Sequence, residues 1–355
     1  MNRLPIFLAV ACAMSAQSVT WREALKQPDA WYGSAEAVRI ANNLLLYQRD
    51  IGGWDKNIDM ARALTPAERG ELEKEKHEPA AHSTIDNQST YPQMQYLARV
   101  YTATHEARFA AAFRSGFEYL MWAQYANGGW PQFYPLRHGY WDHITYNDDA
   151  MIGVMEMLRG IVRRAPEYAF LTHAERARAK QSIDRGIKCI LKTQVTQGGK
   201  LTVWCAQHDE KTLAPARARA YEHPSLSGSE SVGIVEFLMG IDKPPGEVIR
   251  AVQGAVTWFR EAKLTGIRVV AKPAPGTPKG TDKVVVADAT APPLWARFYE
   301  LGTNRPIFSG RDSVIRYSMA EIEYERRNGY RWYVESPARL LDTEYPAWAA
   351  KWIRR

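Results

Sequence analysis

The chain has 355 residues, with 46% hydrophobic and 24% charged, so it is long enough for a large core and too apolar to be disordered. The 46 Lys and Arg exceed the 39 Asp and Glu by +7, which favours anionic partners. No Lys/Arg-rich block occurs, so no nucleic-acid partner is expected. The rings are Trp- and Tyr-rich, with 12 Trp and 18 Tyr against 10 Phe, and rings with a polar edge suit surfaces that stack on sugars.

Residues 1–16 read as an export signal. Arg3 precedes an apolar run from Leu4 to Met14, and Ala11, Ala13, Ser15 and Ala16 supply small residues for cleavage. The run is too short to span a bilayer, and nothing later approaches that length. Secretion or periplasmic export is expected; a lipid-anchored form through Cys12 is the variant, because Ala9-Val10-Ala11-Cys12 loosely resembles a lipoprotein processing site. Residues 17–355 are expected to form one domain and to act as a monomer. Cys189 and Cys205 can be a disulfide or two buried thiols.

An internal repeat organises the rest. Gln48 to Trp54 ends in Gly52-Gly53-Trp54, and Gln124 to Trp130 ends in Gly128-Gly129-Trp130. A third copy runs from Gln194 through Gly198-Gly199 and reaches its tryptophan late, at Trp204. The copies lie 76 and 70 residues apart, which suggests a closed toroid more than an open array. Apolar residues spaced three and four apart lead into each Gln: Val38, Ala41 and Leu44; Phe109, Ala112 and Phe113; Ile183, Ile187 and Ile190. The Gly-Gly pair supplies the left-handed residue that stops each helix.

Second helices are predicted over Asn87–Tyr101, Asn147–Arg164 and Ser227–Gly240, and a further one from Pro245 to Ala262. Capping boxes are read at Thr172–Glu175 and Ser227–Glu230. The fold class is therefore an all-α-dominated α/α toroid of three helical hairpins, an (α/α)3-type barrel. A β-hairpin excursion over about 264–290 interrupts it, since Gly266–Val270 and Lys283–Ala287 flank a Pro/Gly-rich turn. One helix is predicted near Ser313–Arg327.

Polar clusters stand where the second helices begin: Thr84–Thr90, Thr145–Ala150, and Arg219–Glu222 followed by His223–Ser231. Each alone reads as helix capping. Three on equivalent loops would converge on one rim, setting carboxylates from two hairpins beside an arginine from the third. Such carboxylates can bind a hard cation such as Ca²⁺, or act as the acid and base of a glycoside hydrolase, and spacing leaves both open. Arg297 and Arg311 lie among aromatics and can read carboxylates through a planar fork, or simply pair with neighbouring acids. Trp54, Trp130 and Trp204 are sugar platforms or loop-packing rings. The histidines near the clusters form no helical metal pair, and no role is assigned to them.

Taken in order, seven stretches resemble the family-10 pectate lyases: Gly52–Asn57, Thr84–Tyr91, Asn127–Pro135, Tyr146–Met151, Arg219–Glu222 with Pro224–Gly228, Trp295–Glu300 and Ser309–Asp312. The family usually carries Pro where Asp55 stands. The resemblance implies an α/α toroid that cleaves polygalacturonate (pectate) by Ca²⁺-assisted β-elimination. Residue by residue it implies Asp86 and Asp148 as calcium ligands, with Asp149 the alternative to Asp148. It implies Arg219 as the base, and Asn87, Arg297 and Arg311 as substrate-binding groups. The other readings are a hydrolase on the same toroid using Asp86 and Asp148 as its acid–base pair, and a non-catalytic acidic-glycan binder.

Overall fold

The computed structural model describes residues 19–78 and 82–353; the export-signal reading and Cys12 lie outside them. Its principal helices are α1 (Trp21–Ala24), α2 (Ala35–Tyr47), α3 (Pro66–Glu75), α4 (Tyr91–Thr104), α5 (Ala107–Ala123), α6 (Ala150–Val162), α7 (His173–Thr193), α8 (Glu230–Met239) and α9 (Gly246–Glu261). Helices α4 and α5, α6 and α7, and α8 and α9 pack as successive pairs. Helices α4, α6 and α8 also touch one another in turn, while α2 meets α5 and α7 meets α9. Two concentric layers result, the α/α toroid expected from the repeat. α7 carries the expected capping box, with Thr172 and Glu175 both engaged. α3 was not expected: it buries none of its residues and is held at its start by a Thr65–Glu68 box.

The repeat is a packing device. Gln48 at the end of α2 donates its side-chain amide to the carbonyls of Gly52 (2.8 Å) and Ala112 (2.9 Å). Gln124 does the same for Gly128 and Ser182, and Gln194 for Thr202 and Ala251. Each glutamine thus closes its own loop and satisfies a carbonyl of the next outer helix. Trp54, Trp130 and Trp204 are fully buried, and their indole N–H groups donate back to Leu44, Leu120 and Ile190 carbonyls of the preceding helix. They are loop-packing rings, not sugar platforms. Gly52 and Gly128 have φ of +99° and +96°, and a Cβ on either would stand 2.1 Å from the Ser115 or Arg185 carbonyl oxygen. In the third copy Gly198 and Gly199 instead turn a small hairpin between Thr196–Gln197 and Lys200–Leu201, which is why Trp204 comes late.

Short antiparallel strand pairs tie the long loops together. Ile144–Thr145 pairs with Gln207–His208, Leu226–Ser227 with Phe298–Tyr299, and Trp295–Ala296 with Tyr333–Val334. The expected β-hairpin is Ile267–Pro273 with Thr281–Ala287. The predicted Ser313–Arg327 helix is instead split. Ser313 has a left-handed φ of 62°, Ile315–Arg316 forms a strand, and Met319–Glu321 is one 3₁₀ turn capped by Ser318. A helix forms only over Tyr324–Gly329, which we label α10. Cys189 and Cys205 are buried free thiols.

Candidate active site

The helices that follow the first two polar clusters start three to four residues later than predicted, and the reason is conformational. Asn87, Gln88 and Thr90 have φ of 50°, 57° and 69°, and Asp148 and Asp149 have φ of 50° and 58°. Left-handed backbone at non-glycine residues costs roughly 1–3 kcal/mol each and gathers at functional sites. Thr90 and Asp149 occupy the N-cap positions of α4 and α6 without a side-chain capping bond. The polar side chains are therefore aimed elsewhere than at the helix N-termini.

They border a cleft of about 620 Å³ whose lining includes Asn87, Asp148, Asp149, Glu230 and Arg297. Arg297 is buried there, its side chain 9% exposed, against the still more buried Glu230. It donates to Asn147 Oδ1 (3.2 Å), to Asp148 Oδ1 (3.3 Å) and, in a short contact, to the Glu230 carboxylate. Burial alone would lower the Arg297 pKa, but the surrounding acids, Glu230 foremost, hold it above its ordinary value, so the guanidinium stays charged. Asn147 Nδ2 holds the other Asp148 oxygen at 2.7 Å. Asp149 stands among protein atoms at the cleft wall. Desolvation, reinforced by Glu230 and Asp148, pushes its carboxyl up to about 6. Gly233 makes room for it, since a Cβ there would lie 2.6 Å from Asp149 Oδ1.

Asp86 is buried outside the cleft lining. Its Oδ2 pairs with Lys56, while its buried Oδ1 has no hydrogen-bond partner. Asn87 donates to Asn57 Oδ1 at 3.0 Å on the cleft rim. Arg219 is also outside that lining. Its Nε donates to Glu222 Oε2 (2.8 Å) and its Nη2 to the other Glu222 oxygen, which also accepts from the Tyr330 hydroxyl (2.8 Å). Desolvation pulls the Arg219 pKa down, but the Glu222 fork outweighs it and raises the pKa above its ordinary value. The Tyr330 ring lies 4.8 Å from the Arg297 guanidinium carbon and 5.8 Å from that of Arg219, joining the two arginines through its face. Desolvation raises the Tyr140 pKa, and the charges of Arg219, Glu222 and Asp86 all act on it. Arg311 stands apart. It is 65% exposed and pairs with Glu325 at 3.1 Å.

Glu230, Glu222 and Tyr330 are site residues that the sequence reading did not single out. The capping box expected over Ser227–Glu230 does not form, because α8 starts at Glu230 with Ser229 at its N-cap. Ser227 Oγ accepts the Glu230 N–H at 3.0 Å and donates to one carboxylate oxygen, while the other holds Arg297. Asp55 ties the first Gly-Gly loop to Arg49 at 2.7 Å. A separate trio, His143, Asp209 and Glu210, has one ligand atom of each within 4.8 Å of the others. Asp209 Oδ1 there accepts the Lys211 and Thr212 amides, and the Glu210 carbonyl accepts from Asn127, contacts that fasten a turn.

A family profile described as pectic acid lyase matches residues 48–341. The chain belongs to that family. Its structure is also similar to that of a family 10 polysaccharide lyase from Cellvibrio cellulosa, with 33% identity, a TM-score of 0.76, and 92% of this chain and 94% of that one covered. An alanine mutant of a family 10 polysaccharide lyase from the same organism, solved in complex with trigalacturonic acid, matches at 33% identity and a TM-score of 0.76. It covers 93% of this chain and 96% of that one. Comparison with curated proteins gave no match. The protein is thus a pectate lyase on an α/α-toroid-type fold. Membership of a lyase family decides against the hydrolase and the non-catalytic binder. No helix among the described residues of the lyase is long and apolar enough to cross a membrane.

Proposed function

We propose that the lyase is an exported, monomeric enzyme that cleaves α-1,4-linked polygalacturonate by Ca²⁺-dependent β-elimination, releasing unsaturated oligogalacturonides. The observation that carries the reading is the grouping of carboxylates around Arg297. Asp148, Asp149 and Glu230 share that one guanidinium, and the Asp149 pKa is raised by desolvation first and by the Glu230 and Asp148 carboxylates next. A surplus of carboxylate oxygens is what a hard divalent cation neutralises. The orphaned Oδ1 of Asp86 is a further unused oxygen. Asp86 and Asp148 are the residues assigned to hold calcium, with Asp149 the alternative to Asp148. Bound there, calcium would supply positive charge beside the uronate carboxylate where charge develops.

The protein's own groups do the rest. Elimination removes the C5 proton, forms the C4–C5 double bond and expels the C4 oxygen with its electron pair. Arg297, Asn87 and Arg311 are assigned to bind substrate. Arg297 is already buried and preorganised for this, which is how a fixed dipole or charge lowers a barrier. Arg311 has to leave Glu325 to take part. Arg219 is assigned as the base, and it accepts a proton only when neutral. The Glu222 fork opposes that state, so a working base requires the pair to loosen when substrate is bound. Following ultraviolet absorbance during incubation with polygalacturonate, with and without chelator, tests the whole reading. A conjugated product whose formation stops on chelation and resumes with Ca²⁺ is expected. Absorbance that rises equally in chelator removes calcium from the reaction.

A further inference from the structure

The arginines in the site so far described are all committed: Arg297 to Glu230 and Asp148, Arg219 to Glu222, Arg311 to Glu325. Two others on the same cleft are not. Arg22 and Arg331 both belong to its lining, both are exposed, and neither has a carboxylate within 4.0 Å among the described residues. They come from opposite ends of the described chain. Arg22 stands on α1, and Arg331 immediately precedes Trp332, whose backbone is bonded to that of Arg297.

Both backbones are fixed. The Trp21 N–H donates to Asp59 Oδ1 at 2.9 Å, and the Trp21 ring packs 5.4 Å from Tyr96, which pins α1 to α4. Arg331 lies between Tyr330, whose ring faces Arg297, and buried Trp332, whose carbonyl accepts the Arg297 N–H at 2.7 Å. Unpaired guanidinium forks carried on fixed backbones, in a cleft for a polyanion, are available to carboxylates.

We propose that Arg22 and Arg331 form an additional uronate subsite at the flank of the cleft, holding a carboxylate of the bound chain away from the reacting bond. This rests on the polygalacturonate reading above. As residues that grip the chain and not the reacting atoms, they should act on KM and not on kcat, and only for substrates long enough to reach them.

The experiment compares wild type, Arg22→Ala/Arg331→Ala and Arg22→Lys/Arg331→Lys on oligogalacturonates from trimer to hexamer at saturating Ca²⁺. For the double alanine variant the KM on hexamer should rise about tenfold, the worth of one charge-assisted contact. Its kcat should stay within about twofold and its trimer KM should change little, since a uniform binding contact moves KM alone. The lysine pair should recover part of the loss, and added salt should narrow the gap. An unchanged hexamer KM, an equal rise on trimer and hexamer, or a fall in kcat overturns the subsite while leaving the substrate reading in place. A wild type that forms no unsaturated product from any length overturns that reading, and the subsite with it.

Discussion

The three Gly-Gly loops and the polar clusters that follow them are near neighbours in sequence and obey opposite rules. Each loop is closed by the same two uncharged side chains, a glutamine serving two carbonyls and a buried tryptophan returning its N–H to the preceding helix. Each cluster is different: Asp86 pairs with Lys56, Asp148 with Arg297, and Arg219 with Glu222. Repetition therefore records the scaffold, and divergence records the site. Substitutions in the loops should change stability alone, and substitutions in the clusters should change turnover alone.

The largest break should come from Trp54→Ala. Emptying a fully buried tryptophan site costs about 3–5 kcal/mol. Unfolding in denaturant should shift by that amount while kcat of the folded fraction holds. A variant that keeps its stability and loses turnover would dissolve the division between loop and cluster. Asp148→Ala should do the reverse. Its side chain is 42% exposed and leaves no cavity, so stability should fall only by the cost of alanine at a left-handed φ of 50°, about 1 kcal/mol. Turnover should fall about 10²–10³-fold, the usual loss when a charge-stabilising group is removed. Excess Ca²⁺ restoring part of the rate would place the loss in metal affinity.

This division also explains what the sequence discloses. Periodicity marks the paired helices, because burial on one face leaves direct traces in residue type. The Gly-Gly pairs mark the loops and not the helix stops, since α2, α5 and α7 end at Tyr47, Ala123 and Thr193, each followed by an extended Gln that precedes the first glycine. The helix starts are misread because Asn87, Asp148 and Asp149 favour capping and left-handed turns alike, and only the assembled ring selects the second. Glu230 is hidden for the same reason. Its bond with Ser227 is local and visible, whereas its partner Arg297 lies 67 residues away. The Ser313–Arg327 stretch has helical composition, but Asp312 pairs with Arg316 and Ser318 caps a new turn, so local side-chain contacts divide it.

Acid sharpens the comparison at an intermediate scale. His208 is buried, its Nδ1 bonds the Leu213 carbonyl and its Nε2 accepts the Cys205 N–H at 3.0 Å. Burial lowers its pKa from 6.5 to about 4. Between those values the unfolded chain takes up a proton that the folded chain refuses. The His208 contribution to stability is therefore full above pH 6.5 and declines as the pH falls toward 4, by at most about 3 kcal/mol. The strand containing His208 pairs with Ile144–Thr145, directly before the Asp148 cluster, so acid should loosen that cluster. The Gly-Gly loops, held by Gln and Trp, carry no such group. Thermal unfolding from pH 7 to 4 should show the decline in wild type and a shallower one in His208→Gln. Parallel curves would remove His208 as the source.

The smallest effect is the most informative about the third cluster. Glu222 raises the Arg219 pKa through its fork, so Glu222→Gln removes the charge that keeps Arg219 protonated. If Arg219 is the base, the alkaline limb of the rate profile should move toward lower pH by about one unit, equivalent to about 1.4 kcal/mol. The rate at a fixed pH on that limb should then rise about tenfold, an activating mutation at an ion pair of the site. If Arg219 serves only as a fixed cation, the variant keeps that charge and the limb stays where it was. Glu222 is 4% exposed and shares a bond with Tyr330, so the amide must still accept from that hydroxyl for the fold to hold. Glutamine retains that acceptor oxygen, which is why it is preferable to alanine here. A rate profile unmoved by Glu222→Gln, in a variant with wild-type Tm, excludes Arg219 as the base and leaves Lys56, beside Asp86, as the next cation to test.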